Sequence, residues 1–468
     1  MHEVPVGPRP HAAFRGVADA ADLYRYEQLV GRVRARLGGR PLWHVNSSAA
    51  GGGVAELLGS TLGYLRDAGI DARWLVLEGD PGFFDVTKRI HNRLHGSLGD
   101  GGPLGELERE HVDRVTAANL QVARRLVSPG DVVVVHDPQP LGLVPGLTEL
   151  GAVVIWTSHV GVDVPNDLCR SAWEFLHPYL DGARALTFTR QAYVWEGLEG
   201  RLVELIPPCI DAFSLKNADL DERRRDAILA AAGVVAPTGS GRPTFVRGDG
   251  ARATVVHRAT VVEDAPVPPD ARLVVQVSRW DRLKDPLGVI AGFADAVSTI
   301  DAHLILAGPA PSSVADDPEA IQILDEVERA WEQLRPGVRP RVHLANLPTD
   351  DVEENAVIVN ALQRRAQVVV QKSLAEGFGL TVTEAMWKRR AIVASRVGGI
   401  QDQIVDGEHG LLIDPRDLTS FGNAVTRLLD DAELARHLGD AARERVRQRY
   451  LAPEYLASYL ALIDRLDV

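Results

Sequence analysis

Only two cysteines, Cys169 and Cys209, occur in 468 residues. That is too few for a disulfide framework or a four-cysteine zinc site, and it fits a reduced compartment. Both read as packing residues. Positive charge is also short, with 51 Lys plus Arg against 64 Asp plus Glu and a formal charge of -13. A general electrostatic pull on nucleic acid or anionic lipid is thereby excluded, so neither is expected as a partner. Any anionic ligand has to be held by local cations. No run approaches the ~20 apolar residues of a membrane span, and the N-terminal MHEVPVGPRPHAAFRGVADAADLYRYE has no apolar core of signal-peptide length. The expected location is cytoplasmic. Internal repeats and low-complexity tracts are missing, as is any G-x-x-x-x-G-K-[ST]. G-x-G-x-x-G is incomplete because Glu56 stands at its last glycine. A P-loop ATPase and a nicotinamide oxidoreductase are disfavoured.

What is present is a 45% hydrophobic, 25% charged chain, which suits two or three packed domains. Short β-branched runs alternate with helical patterns: PLWHV, RWLVL, DVVVVH, AVVIWTSH, ALTFTR and LVELIPP, then RLVVQVSR, AHLILAG, RVHLAN, QVVVQKS, AIVASRV and GLLID. Such alternation predicts an α/β protein of two doubly wound, Rossmann-like domains facing a central cleft. The first spans 1–210, joined by a C-terminal helix at about 450–468 that packs back on it. The second spans 211–449, with an insertion at about 236–270 whose hairpin turns near RGDG.

Open parallel sheets bind ligands beyond the carboxyl ends of their strands, so motifs at strand ends matter most. After PLWHV, the run Gly51, Gly52 and Gly53 opens a helix with an apolar face of Val54, Leu57, Leu58, Leu62 and Leu65. Glycines there suit either a plain turn or a backbone cradle for phosphate. After RLVVQVSR, Arg279 and Lys284 stand on one loop, which reads as a solvated basic loop or as a neutraliser of a diphosphate. EGFGLTVTE (376–384) places Glu376 before a glycine turn and Glu384 within the following helix. His159 ends AVVIWTSH, a position open to a structural or a ligand role. Asp137 and Gln139 follow DVVVVH, and Lys88 and His91 lie in the preceding excursion. His91 and His95 share a helix face without a third ligand, and Asp219 and Asp221 read as a solvated face of a charged linker helix. No metal or other cofactor is expected.

HVNSSAAGGGVAE, VSRWDRLKDP, QKSLAEGFGLTVTEAMWK and RVGGIQDQIVDGEHGLLIDP resemble the retaining nucleotide-sugar glycosyltransferases related to glycogen and sucrose synthases, which have the GT-B architecture. Within that group the resemblance is to the trehalose glycosyltransferring synthases, carried also by ARWLVLEGD, FFDVTKRIHNRLHG and VHDPQP. It implies transfer of glucose from a nucleoside-diphosphate glucose, UDP- or ADP-glucose, to glucose, giving α,α-trehalose. A trehalose phosphorylase, a sibling transferase with another acceptor, and a non-catalytic nucleotide-sugar binder are the competing readings. The resemblance assigns catalysis to His159, Arg279, Lys284 and Glu376. It assigns the donor to Gly52, Gly53, Gly377, Phe378, Gly379, Leu380 and Glu384. By their placement Asp137, Gln139, Lys88 and His91 suit the acceptor hydroxyls, against loop capping by Asp137 and plain surface exposure of the others. TSHVGVDVPND keeps His159, Pro165 and Asn166 of the family's histidine segment but has Gly161 where an Asp is often found. The partners implied are a nucleotide sugar and a sugar acceptor, and a homodimer is compatible with this reading. Because the donor's ligands come from both domains, a hinge near 208–215 is expected to close on it.

Overall fold

The computed structural model describes residues 1–49, 52–237, 239, 241–296, 300–310 and 319–466. Gly51 of the glycine run, and Thr238 and Ser240 of the segment 236–270, lie outside the described residues. The chain divides into two units, Met1–Asp211 with Arg447–Val468 (unit 1) and Ala212–Val446 (unit 2).

Unit 1 is built on β1 (His2–Val4), β2 (Leu42–Asn46), β3 (Ala72–Val76), β4 (Val132–His136), β5 (Val153–Ser158), β6 (Ala185–Phe188) and β7 (Val203–Leu205). Their order is β1-β3-β2-β4-β5-β6-β7, parallel throughout except for the antiparallel edge strand β1. The central runs are buried on both faces, which explains why VVVV and VVIW are continuously apolar and do not alternate. Chain order reverses between β2 and β4, so their carboxyl ends flank a topological switch point. The helix Ala20–Leu37 is capped by the Asp19 side chain at one end and stopped by left-handed Gly38 at the other. Beside it runs the C-terminal helix Ala452–Arg465, joined by Arg25 to Glu454 (3.0 Å) and by Arg32 to Asp464 (2.7 Å). Asp211 accepts from Tyr64 Oη (2.7 Å) and Arg9 (2.7 Å).

Unit 2 repeats the plan with β10 (Thr260–Val262), β11 (Leu273–Val277), β12 (His303–Pro309), β13 (Val342–Leu347), β14 (Val368–Gln371), β15 (Ala391–Ser395) and β16 (Leu411–Ile413). Their order is β10-β13-β12-β11-β14-β15-β16, with only β10 antiparallel. The switch point falls between β11 and β14. A separate hairpin, β8 (Thr244–Val246) with β9 (Arg252–Thr254), turns through Arg247–Gly250, and Arg247 is held by Asp351 and Glu353. The expected insertion over 236–270 therefore needs narrowing. Its later part, Thr260–Val262, is the edge strand of the main sheet, paired with Leu344–Asn346. Nothing in its short sequence marked it, because three residues carry too little periodicity to separate a strand from a loop. Asp221 caps the helix Glu222–Ala231 and Asp219 lies before it, accepting from Arg364 at 3.1 Å, so the pair is not a face of that helix. Among the described residues, no helix is long and apolar enough to cross a membrane.

Beside β10, Glu263 Oε2 lies 2.7 Å from His343 Nδ1, and His343 Nε2 lies 2.9 Å from His303 Nδ1. Burial pushes Glu263 from 4.5 up to about 7 and His343 down to about 3, so no cation is at hand to favour the carboxylate. The native state holds a proton that the unfolded chain releases between those two carboxyl values. Its stabilising effect is complete below about pH 4.5 and is lost as pH rises through about 7. Glu263→Gln keeps an acceptor without the charge. At about pH 8 it is expected to raise unfolding stability by about 1–2 kcal/mol, discounted for partial exposure, with little change at about pH 4.5. Calorimetry at both pH values checks this, and an equal effect at both contradicts it.

Candidate functional site

At the switch point of unit 2, β11 runs into the turn Arg282–Lys284, capped by Asp281, whose Oδ1 accepts from Leu283 N at 2.7 Å. β14 runs into Lys372, Ser373 and the EGFG turn. The two loops are tied together. Gln276, buried at the end of β11, donates to Lys284 O (3.0 Å) and accepts from Lys372 N (3.2 Å), while Leu374 N donates to Leu283 O (2.7 Å). Lys284 Nζ donates to Glu376 Oε1 (2.8 Å) and Oε2 (2.7 Å), and Ser373 Oγ donates to Oε2 (3.0 Å). Two residues 92 positions apart in sequence thus form one bidentate pair, with side chains 18% and 10% exposed. Arg279 is more open, 43% exposed, and donates to Asp281 at 3.2 Å. Behind them Lys372 Nζ is buried against Asp285 and Pro415 O. Sequence reasoning brought Arg279, Lys284 and Glu376 to one place but missed Gln276, Lys372 and Ser373. The polar run QKS at the end of an apolar strand was the available signal.

The turn continues through Gly377 and Phe378 to left-handed Gly379 (φ 88°), which opens the helix Leu380–Trp387. Gly377 O accepts from Gly399 N at 3.0 Å, and Gln403 Nε2 donates to Phe378 O. A Cβ on Gly399 would lie 2.7 Å from both Gly377 O and Phe378 Cα. Glycine at 399 therefore lets the second loop pack onto the first. Glu384 is buried in this helix, with Oε1 3.6 Å from Lys216 Nζ, a cation that the sequence reading passed over. The N-terminus of the helix carries partial positive charge next to Glu376 and Gly377.

In unit 1, Gly52 is the N-cap of the helix Gly53–Asp67. Its φ of −144° is open to any residue, and an added Cβ would meet nothing within 4 Å, so packing inside the protein does not require glycine there. Asp137 is left-handed (φ 65°), an uncommon conformation for a residue with a side chain. The bonds around it hold it there: Asp137 N donates to Thr157 O (2.7 Å), Trp156 Nε1 donates to Asp137 O (3.0 Å), and His159 N donates to Asp137 Oδ1 (2.8 Å). Its carboxylate thus positions His159, while burial raises its pKa. His159 ends a buried line of imidazoles. His44 Nδ1 is 2.9 Å from His136 Nε2, and His136 Nδ1 is 3.2 Å from His159 Nε2, with ring planes 22° and 5° apart. Both added histidines stand in strand sequences, PLWHV and DVVVVH, and sequence reasoning missed them.

The remaining acceptor candidates are half-buried: Gln139 after β4, and Lys88 and His91 on the helix Pro81–Leu94. The His91 ring lies edge-on to His95, 4.8 Å between centroids. Among the described residues no group of three or more His, Cys, Asp and Glu is placed to hold a metal ion. Asn166 caps the helix Asp167–Leu176 through Cys169 N (3.1 Å) and donates to Gly96 O (2.9 Å).

Gly161 has its own explanation: an added Cβ would sit 2.4 Å from the Tyr193 ring. The space that an Asp at 161 would need is filled by Tyr193. Gly161→Ala is therefore expected to destabilise unit 1 by about 1–3 kcal/mol through overpacking. Gly52→Ala should change stability by no more than about 0.5 kcal/mol, since a weaker cap and a stiffer unfolded chain offset each other. Denaturant titrations of the two variants check the contrast, and equal losses contradict it.

Two family models match the chain: trehalose synthase, N-terminal domain, over residues 44–195, and glycosyl transferases group 1 over 258–445. Trehalose synthase of Rubrobacter xylanophilus is 34% identical over 100% of this chain and 99% of its own length. Trehalose synthase of Pyrococcus horikoshii is 34% identical over 92% of this chain and 91% of its own. Among solved structures, an α,α-trehalose-phosphate synthase (UDP-forming) from Burkholderia vietnamiensis superposes with a TM-score of 0.66 at 15% identity, over 92% of this chain and 99% of that one. That likeness identifies the fold as GT-B. With full-length identity above a third and both family models in register along the sequence, the chain belongs to the trehalose synthase family of glycosyltransferases.

Proposed function

We propose that the protein transfers glucose from a nucleoside-diphosphate glucose, UDP- or ADP-glucose, to free glucose, making α,α-trehalose with retention at the donor's anomeric carbon. The observation that supports this reading is the likeness along the chain to proteins named trehalose synthase, and the route of transfer is argued from the state of Glu376. A carboxylate that accepts two bonds from one ammonium and a third from a hydroxyl is a poor nucleophile. A double displacement through that group is therefore disfavoured against direct transfer.

In this mechanism the bond from the anomeric carbon to the diphosphate oxygen breaks, and negative charge grows on the departing phosphate. Positive charge spreads over the sugar ring. Lys284, Arg279 and the N-terminus of the helix Leu380–Trp387 stabilise the phosphate. Glu376 lies on the sugar's side of the ligand and favours the oxocarbenium character. The backbone of Gly377, Phe378, Gly379 and Leu380 binds the donor, and Glu384 accepts from the ribose hydroxyls. The acceptor hydroxyl attacks on the face the phosphate leaves, and its proton passes to a phosphate oxygen. On the unit 1 side, Gly52 and Gly53 serve the donor, His159 serves the sugar, and Gln139, Lys88 and His91 serve the acceptor. Asp137 acts through His159.

Product analysis tests the reading. UDP-, ADP- and GDP-glucose are offered with glucose or glucose 6-phosphate in chelator-treated buffer, with phosphate plus trehalose as the control. α,α-Trehalose from free glucose is expected. Product only from the phosphorylated acceptor, or turnover only with phosphate and trehalose, would overturn it. Under the same conditions Lys284→Ala and Arg279→Ala are expected to lose about ten- to a thousandfold in turnover with small losses of stability.

A further inference from the structure

The line His44, His136 and His159 obeys a rule that none of its members obeys alone. A neutral imidazole has one N–H and one lone pair, so each of the two contacts needs a donor on one ring and an acceptor on the other. The choice at one end propagates to the other. Either all three rings are protonated on Nδ1, or all three are protonated on Nε2. The rings are kept neutral by burial, which takes His44 down to about 3, His136 well below its ordinary value, and His159 down as well.

The far end of the line settles the choice. His44 Nε2 meets no hydrogen-bonding atom of the described residues. His44 lines a cavity of about 10 Å³ walled mostly by apolar residues, among them Leu42, Leu65, Val134, Leu456 and Ile463, with Thr61, Tyr455 and Tyr459 completing the lining. An N–H left there without an acceptor would lose a strong bond, whereas a bare lone pair in the same place loses less. Tyr459 Oη is 2.9 Å from Thr157 Oγ1, and burial keeps both phenols protonated. The other titratable group facing His159 is Asp137, whose carboxyl burial raises.

We propose that His44 and His136 are positioning residues that hold His159 as the tautomer protonated on Nδ1, so that it meets the sugar as a hydrogen-bond donor and not as a base. The sense of the line follows from its geometry: Nδ1–H of His44 donates to His136, Nδ1–H of His136 donates to His159, and Nδ1–H of His159 is left for a ligand. The role at the sugar rests on the transferase reading above. The tautomer does not.

Long-range ¹H–¹⁵N spectra of histidine-labelled resting protein read the tautomer without substrate. The expected result is Nδ1–H on all three rings, unchanged between about pH 6 and about 8. Protonation of His159 on Nε2, or an imidazolium in that range, would overturn the inference even if trehalose is made. His136→Phe cuts both contacts and is expected to give a mixed His159 signal and a kcat lower by about tenfold or more, with KM little changed. His44→Asn, whose amide can donate in place of Nδ1–H, is expected to keep both the signal and kcat within about threefold. A His136→Phe spectrum with His159 unchanged would sink the proposal. Should that variant fail to fold, the spectrum of the unaltered protein decides alone. If the tautomer is as expected but no trehalose forms, the transferase reading is what fails.

Discussion

Gln276 ties together the two loops on which the proposed donor chemistry of unit 2 rests. Its amide donates to Lys284 O and accepts from Lys372 N, joining the ends of β11 and β14 where chain order reverses. Held that way, Lys284 and Glu376 come within hydrogen-bond distance of each other. A partly buried ion pair of this kind adds little net stability, because desolvation opposes the attraction. Its value lies in placement. The fold itself fixes both charges, so in the proposed transfer little reorganisation would be needed as charge develops.

Much of this was legible in the amino-acid order. Continuous apolar strands separated by helical patterns specified two doubly wound sheets, because strands buried on both faces leave no other pattern. Strand ends located Arg279, Lys284, Glu376 and His159, since each follows a recognisable apolar run. The pairings were not legible. β11 and β14 are neighbours in space but lie far apart in the chain, so Lys284 and Glu376 read as two separate ligands of a substrate when they are ligands of each other. Lys216 beside Glu384 and the two histidines behind His159 were hidden for the same reason. Asp137 read as an acceptor ligand, yet its carboxylate is engaged by the backbone N–H of His159, a contact set by a left-handed residue that sequence does not announce.

The two units use one doubly wound plan for different chemistry. Unit 2 concentrates charge at its switch point, in ion pairs that involve Lys284, Arg279 and Lys372. Unit 1, apart from the Asp137 carboxyl that holds His159, places neutral groups there: a glycine N-cap with open space above it and an imidazole line that burial keeps uncharged. Charge suits the handling of a diphosphate, and neutral donors and acceptors suit sugar hydroxyls. This division of labour is what the proposed transfer from a nucleotide sugar to a sugar requires.

The central claim is that Lys284 and Glu376 act as one unit, and a double-mutant cycle on kcat/KM measures it directly. Wild type, Lys284→Met, Glu376→Gln and the double variant are compared with the same donor and acceptor. A coupling of at least about 1.4 kcal/mol is expected, with the double variant far less impaired than the product of the single losses. Losses that add to within about 0.5 kcal/mol would mean that the two charges serve the reaction independently, and would contradict the account.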